Sequence, residues 1–197
     1  MAKAPVAGRS KTRLARDIGV GAATGFARHA LRSTLLRLGR DPRWETVLAV
    51  APDAGRHALP APLRARRIGQ GGGDLGVRMQ RLAECGPLGP VVIIGSDIPD
   101  VRPRHIARAF RELGSRDIVF GPADDGGFWL VGFSRRLRCP KPFSGVRWSH
   151  AETLRDTLAN LADVRVGFTA TLPDVDEGRD LHRAAGSAGR VVPRVAK

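Results

Sequence analysis

The sequence predicts one α/β domain built on a mostly parallel sheet flanked by helices. Two observations carry this reading. Short apolar runs alternate with helix-spaced apolar stretches along nearly the whole chain. One of those runs, Val91 to Ile94, closes on Gly95-Ser96-Asp97, the pattern of a buried parallel strand that ends at a ligand-facing loop. The length of 197 residues, 42% of them hydrophobic, suits a single domain with a full core. No internal repeat or linker divides it. The domain is expected over residues 1–185, with 186–197 as a loose tail.

The elements follow in order. A basic loop runs from Ala4 to Arg13. Phe26, Ala30, Leu31, Leu35 and Leu38 then recur at helical spacing. Trp44 to Ala51 reads as a strand, Pro52 to Pro62 as a proline-rich loop, and the surroundings of Ile68 as a weak strand. Gly71 to Gly73 lead into a helix from Leu75 to about Cys85. After Val91–Ile94, Pro103 to Leu113 is a helix with proline in its first turn. Ile118–Phe120 and Phe128–Phe133 are strands around the loop Gly121 to Gly127. Ser149 is placed to cap a helix reaching Leu161. Val164–Thr169 is a strand, and Glu177–Ala185 a last helix.

Composition narrows the function. The longest apolar run is far short of the roughly 20 residues a bilayer needs, and no basic segment with an apolar stretch behind it opens the chain. A cytoplasmic protein without a membrane partner is expected. Cys85 and Cys139 form neither a disulfide framework nor a metal knuckle, and the five histidines show no ligand spacing. The net charge is +14, but 29 of the 33 basic residues are arginine, scattered from Arg9 to Arg194. That is a surface composition bias, not a basic stripe interleaved with stacking aromatics. Nucleic acid is therefore not expected as the main partner. An anionic small molecule such as a nucleotide fits the charge equally well.

Five segments can carry chemistry. Lys3-Ala-Pro-Val-Ala-Gly8-Arg-Ser-Lys11-Thr12-Arg13 gathers cations around a Pro/Gly loop opening a helix, which suits phosphate oxygens. It is not a Walker A loop, because Ser10 stands where glycine is needed. Gln70-Gly71-Gly72-Gly73-Asp74-Leu75-Gly76 matches G-x-G-x-x-G, yet the strand before it is arginine-rich and unlike a Rossmann first strand. The plain alternative for Asp74 is a helix cap. Asp97, just past the apolar strand, suits a divalent cation bridging phosphates, or else caps the next turn. Asp100 is a weaker candidate that also suits capping the Pro103 helix. Asp124-Asp125-Gly126-Gly127 suits a hydroxyl substrate or a general base, or else a hairpin turn. Asp174 and Asp176 precede the last helix, where dipole compensation also explains them.

Taken in order, Lys3-Ala-Pro-x-x-Gly-x-x-Lys11-Thr-Arg-Leu, Gln70-Gly-x-Gly-Asp-Leu-Gly-x-Arg-Met79, Ile94-Gly-Ser-Asp97-x-Pro99, Asp125-Gly-Gly-Phe-x-Leu-x-Gly132 and Trp148-Ser149 resemble one family. It is the bacterial GT-A-like glycosyltransferase family associated with arsenosugar biosynthesis, long a domain of unknown function, within the nucleotide-diphospho-sugar transferase superfamily. It is similar to nucleotidyltransferases that build molybdopterin guanine dinucleotide and a deazaflavin precursor. The resemblance spans Lys3 to about Leu181 and implies a single-domain, Rossmann-like nucleotide-diphospho-sugar transferase (GT-A) fold. It implies that Lys3, Gly8, Lys11, Thr12 and Arg13 line the nucleotide phosphates, and that the loop of Gly73 and Asp74 closes over nucleotide or sugar. It also implies that Asp97 and Asp176 hold Mg²⁺ or Mn²⁺, that Asp97 and Asp125 are catalytic, and that Asp124, Gly126, Gly127 and Trp148 face the acceptor.

Two departures from the family pattern stand out. Resembling chains carry an apolar strand directly ahead of the Lys3 motif, whereas Met1 and Ala2 alone precede it here, so an incomplete first strand is expected. His150 follows Trp148-Ser149 where threonine is more usual. The resulting expectation is metal-dependent glycosyl transfer from a nucleotide-diphospho-sugar to a small-molecule acceptor. Nucleotidyl transfer with pyrophosphate release and nucleotide binding without turnover are the alternatives, and self-association is left open.

Overall fold

Leu48, Ala49 and Val50 form an apolar run with no room for solvent on either face, and they make the buried middle of β2 (Val47–Ala51). β1 (Ala2–Lys3) and β3 (Arg66–Gly69) lie on either side of it, both parallel to it, in the order β1-β2-β3. The expected strand over Trp44–Ala51 is thus shorter, beginning at Val47. The crossover from β1 to β2 passes through α1 (Thr12–Ile18) and α2 (Val20–Leu38). Gly19 separates the two helices at φ 83, a left-handed value that favours glycine. α2 buries Ala23, Ala30, Leu31, Leu35 and Leu38 along one stripe, and Leu31 and Leu35 pack on Ala2, Ala4, Leu48 and Val50. The computed structural model describes residues 1–57, 65–86, 88–136, 139–173, 175 and 180. Most of the expected last helix and the tail lie outside them.

The second half forms another sheet, in the order β4-β6-β5-β7. Its strands are β4 (Val91–Ile94), β5 (Ile118–Pro122), β6 (Phe128–Phe133) and β7 (Val166–Phe168). β6 is the reversed strand, antiparallel to both β4 and β5, while β5 and β7 run parallel. The sequence suggested a parallel strand at Val91–Ile94; among the described residues its ladder is the antiparallel one to β6. The helices are α3 (Leu75–Glu84), α4 (Pro103–Glu112) and α5 (Thr153–Ala159). α4 places Ile106 and Ala109 against Ile98, Val101, Leu113 and Trp129 on one face of the sheet. Phe120, Val131, Phe133 and Phe143 fill the other face with Met79 and Ala83 of α3. α5 starts later than expected. Ser149 is not its cap: Ser149 has φ 56, and Glu152 precedes the first helical residue.

β1, two residues long, borders the gap between the two sheets. β1 covers Val50 and Ala51 of β2 and no more, and the outer edge of β4 receives the Met1 amine at Ile94 O, 2.7 Å away. Burial pushes that amine down to about 6. A groove of about 610 Å³ runs between the sheets, with Val47, Ala49 and Ile68 on one wall and Val92, Ile94 and Phe110 on the other.

Candidate functional site

Four of the five sequence-selected segments follow the carboxyl ends of β1, β3, β4 and β5, where an α/β sheet receives its ligands. The first follows β1. Ala4 and Ser10 are buried and pin the loop from inside, with Ser10 Oγ donating to Val6 O (3.3 Å). Gly8 turns at φ 70, and Lys11 takes the left-handed conformation (φ 51, ψ 48) as the residue preceding α1. Leu14, fully buried, anchors that helix. Lys3, Thr12 and Arg13 are exposed around the same turn.

Lys11 then does what its position in the sequence did not announce. Its side chain, 11% exposed, crosses to the loop after β4, where Nζ donates to Asp97 Oδ2 at 2.6 Å. The same ammonium donates to the carbonyl of Val175, also at 2.6 Å. The Val175 N–H returns to the Asp97 carbonyl (3.2 Å), and Val175 is 1% exposed. Three segments distant in sequence meet at one cation. Gly95 makes room for this: a Cβ there would stand 2.8 Å from Asp97 Oδ1. Among the described residues, no group of three His, Cys, Asp or Glu side chains converges as a metal cluster. Asp176 and Asp174 lie outside the described residues. Asp100 does not cap α4, which follows Arg102; it lies 3.9 Å from the Arg102 guanidinium.

The loop after β3 is built on arginines and one buried amide. Gln70, 3% exposed, donates to Ala2 O and Ala49 O (both 3.0 Å), tying the loop to β1 and β2. Arg78 Nη1 donates to Gln70 Oε1, and Arg81 Nη1 to Gln70 O (2.7 Å) and Gly72 O (3.0 Å). Gly71 and Gly73 turn at φ 74 and 99. Asp74 Oδ1 accepts the Val77 N–H at 2.8 Å, so Asp74 is a helix cap.

Asp124 and Asp125 are exposed in the turn between β5 and β6. Asp125 Oδ1 accepts the Gly127 N–H (2.8 Å), the geometry of a hairpin turn. Gly126 (φ 86) packs so closely on Ala151 O that a Cβ has no place, and its carbonyl accepts the Leu154 N–H (3.0 Å). Trp148 lies 6.4 Å from the Phe128 ring and 5.8 Å from the Phe143 ring. A Cβ on Gly76 would stand 2.7 Å from Trp148 Cζ2. The structure thus brings together the start of α3 after Asp74, Trp148 and the Gly126-Gly127 turn, and separately joins Lys11 to Asp97. Arg147 grips Asp156 with two nitrogens (2.7 Å each) and steadies the Trp148 segment; this holds the Asp156 carboxyl down at about 2.

Sequence reasoning quoted Gln70 and Arg78 within a motif without giving either a role, and missed Arg81 and the Val175 carbonyl. A glutamine closing a strand ahead of three glycines, with two arginines three residues apart on the next helix, is the signal for the three side chains. The Val175 carbonyl leaves none, because a backbone oxygen carries no residue identity.

The family described as "Uncharacterized protein conserved in bacteria (DUF2064)" matches residues 34–150. The chain belongs to this family. Among curated proteins, none matches it by sequence. Beyond the span matched to DUF2064, the chain is similar to a solved structure from Desulfovibrio desulfuricans G20, described as a "putative nucleotide-diphospho-sugar transferase". The two are 30% identical with a TM-score of 0.83, over 95% of this chain and 86% of that one. The fold is also shared with 4-diphosphocytidyl-2C-methyl-D-erythritol synthase from Anaerococcus prevotii DSM 20548 (12% identity, TM-score 0.56, 82% and 86% covered). Rv0371c from Mycobacterium tuberculosis H37Rv shares it as well (19% identity, TM-score 0.51, 82% and 84% covered). This DUF2064 chain has the single-domain, GT-A-like α/β fold of nucleotide-diphospho-sugar transferases.

Proposed function

We propose that this protein transfers a glycosyl group from a nucleotide-diphospho-sugar to a small hydroxylated acceptor with the help of a divalent cation. The observation that carries the reading is the meeting of Lys11 and Asp97 at the carboxyl ends of β1 and β4. It is supported by 30% identity, over 95% of the chain, to the Desulfovibrio protein.

The donor set fits a hard cation: a carboxylate oxygen and a backbone carbonyl already converge on one positive charge at 2.6 Å. Asp97, the Val175 carbonyl and, by resemblance, Asp176 would hold Mg²⁺ or Mn²⁺. Such an ion neutralises charge on a leaving diphosphate. The remaining work falls to the chain. The Lys3–Arg13 loop offers backbone N–H groups and cations to the phosphates. The Gly73-Asp74 loop, fixed by Gln70, Arg78 and Arg81, covers the nucleotide-sugar. Asp124, Asp125 and the Gly126-Gly127 turn face the acceptor beside Trp148, and Asp125 takes the acceptor hydroxyl proton.

The test is incubation of the protein with a panel of nucleoside-diphospho-sugars, Mg²⁺ or Mn²⁺ and hydroxylated acceptors, arsenosugar precursors among them because of the family resemblance. Donor consumption with nucleoside diphosphate release is expected. Pyrophosphate released from a nucleoside triphosphate with no sugar donor used would replace this reading with nucleotidyl transfer.

A further inference from the structure

We propose that the Lys11 ammonium is a tethered counter-cation that keeps the Asp97 site closed to divalent ions until an anionic ligand draws it away. The proposal rests on the metal reading of Asp97 given above and adds how that site is controlled.

Its basis is the way Lys11 is held. A residue lining a phosphate loop for that purpose alone would present its ammonium to the loop and to solvent. Lys11 instead turns inward, 11% exposed, from a left-handed backbone position that side-chain-bearing residues seldom adopt. Its Nζ sits between two oxygens from different segments, both at 2.6 Å. Those segments are locked to each other by the Val175 N–H bond to the Asp97 carbonyl. Among the described residues, the ammonium therefore fills a cradle formed by these two oxygens.

A divalent ion cannot share that cradle. It would need the same two oxygens, at about 2.0–2.6 Å from each. A +1 and a +2 charge a few ångströms apart repel strongly in a partly buried site. Cation entry thus requires Lys11 to leave. The loop from Ala4 to Ser10 directly precedes Lys11, and phosphate oxygens bound there would draw the ammonium away from the cradle. The consequence is ordered loading: weak metal binding alone, and strong metal binding together with the nucleotide diphosphate. Lys11 acts here as a positioning residue for the metal site.

The experiment is Mn²⁺ binding measured by the electron paramagnetic resonance signal of free Mn²⁺, with no nucleotide present. Wild type, Lys11→Met, Lys11→Arg and the double variant Lys11→Met/Asp97→Asn are compared. Removal of the charge in Lys11→Met is expected to tighten Mn²⁺ binding at least tenfold. Lys11→Arg keeps the charge and should stay within about threefold of wild type. The double variant should lose the gain. Lys11→Gln, a second neutral variant, is read by the same criterion if methionine impairs folding. Unchanged or weaker Mn²⁺ binding in the neutral variants, while wild type binds Mn²⁺ with nucleotide, overturns the closure and leaves the Asp97 metal reading intact. Absence of Mn²⁺ binding in every protein, with and without nucleotide, overturns both.

Discussion

Asp97 has a strand behind it and a cation in front of it. Its side chain is 31% exposed, and its pairing with Lys11 is partly screened by water. Replacing it should therefore cost the fold little and the site much. Asp97→Asn is expected to lower the unfolding free energy by no more than about 1 kcal/mol. It should also abolish the part of nucleotide affinity that depends on Mg²⁺. Paired urea melts and nucleotide titrations with and without Mg²⁺ check this, and equal nucleotide affinities in wild type and variant would remove Asp97 from the metal site. The same residue shows what a sequence can reveal. Its place after Val91–Ile94 marked it as ligand-facing, because the ends of apolar strands are a local signal. Its partners Lys11 and Val175 come from segments 86 and 78 positions away, and no local pattern joins them.

Local chemistry decided most of the elements that were legible. The Asp74 cap, the Pro103 helix start and the Asp-Gly hairpin all rest on contacts within a few residues, and all appear in the structure. The reversal of β6 between β4 and β5 and the late start of α5 rest on packing between distant segments and were not legible. The cap offers a way to separate two jobs of one residue. Asp74→Ala removes the acceptor of the Val77 N–H and is expected to cost about 1 kcal/mol. For a chain of this size that lowers the melting temperature by about 2–4 °C. Asp74→Ser keeps a capping oxygen and should restore most of the loss. If the carboxylate also contacts the nucleotide-sugar, Asp74→Ser will melt like wild type yet bind nucleotide more weakly. A serine variant with full affinity would leave Asp74 as a cap alone.

At the scale of the whole molecule the charge of +14 is spread over many separate arginines, several already engaged. Arg43 pairs with Asp41, Arg147 with Asp156 and Arg165 with Asp117. In each case the guanidinium holds the carboxyl below the usual carboxylate range. Such a surface attracts polyanions without reading them. Duplex DNA binding is expected to be weak and to collapse between about 50 and 200 mM salt, as purely phosphate contacts do. A fluorescence-anisotropy salt series measures it, and tight, sequence-selective binding at physiological salt would show that the protein carries a nucleic-acid site.

The groove between β2 and β4 divides the molecule in a way that solvent can report. The β4-β6-β5-β7 sheet has Phe120, Leu130, Val131 and Phe133 at 1% exposure or less, whereas no residue of β3 in the other sheet is fully buried. Across the seam run the Met1–Ile94 bond, the Lys11–Asp97 contact and the two bonds that Arg37 donates to Pro99 O and Val101 O. The β1-β2-β3 sheet, whose outer strand β3 has no fully buried residue, should open at lower free energy than the β5-β6 core. Amide hydrogen exchange is therefore expected to be faster in Val47–Ala51 and Arg66–Gly69 than in Ile118–Pro122 and Phe128–Phe133. A nucleotide held by the first loop and a cation held at Asp97 would be anchored to different sheets, so ligand binding should slow exchange in β2 and β3 most and bring the two rates together. Equal exchange in both sheets without ligand would mean that the seam transmits stability as well as a continuous sheet does.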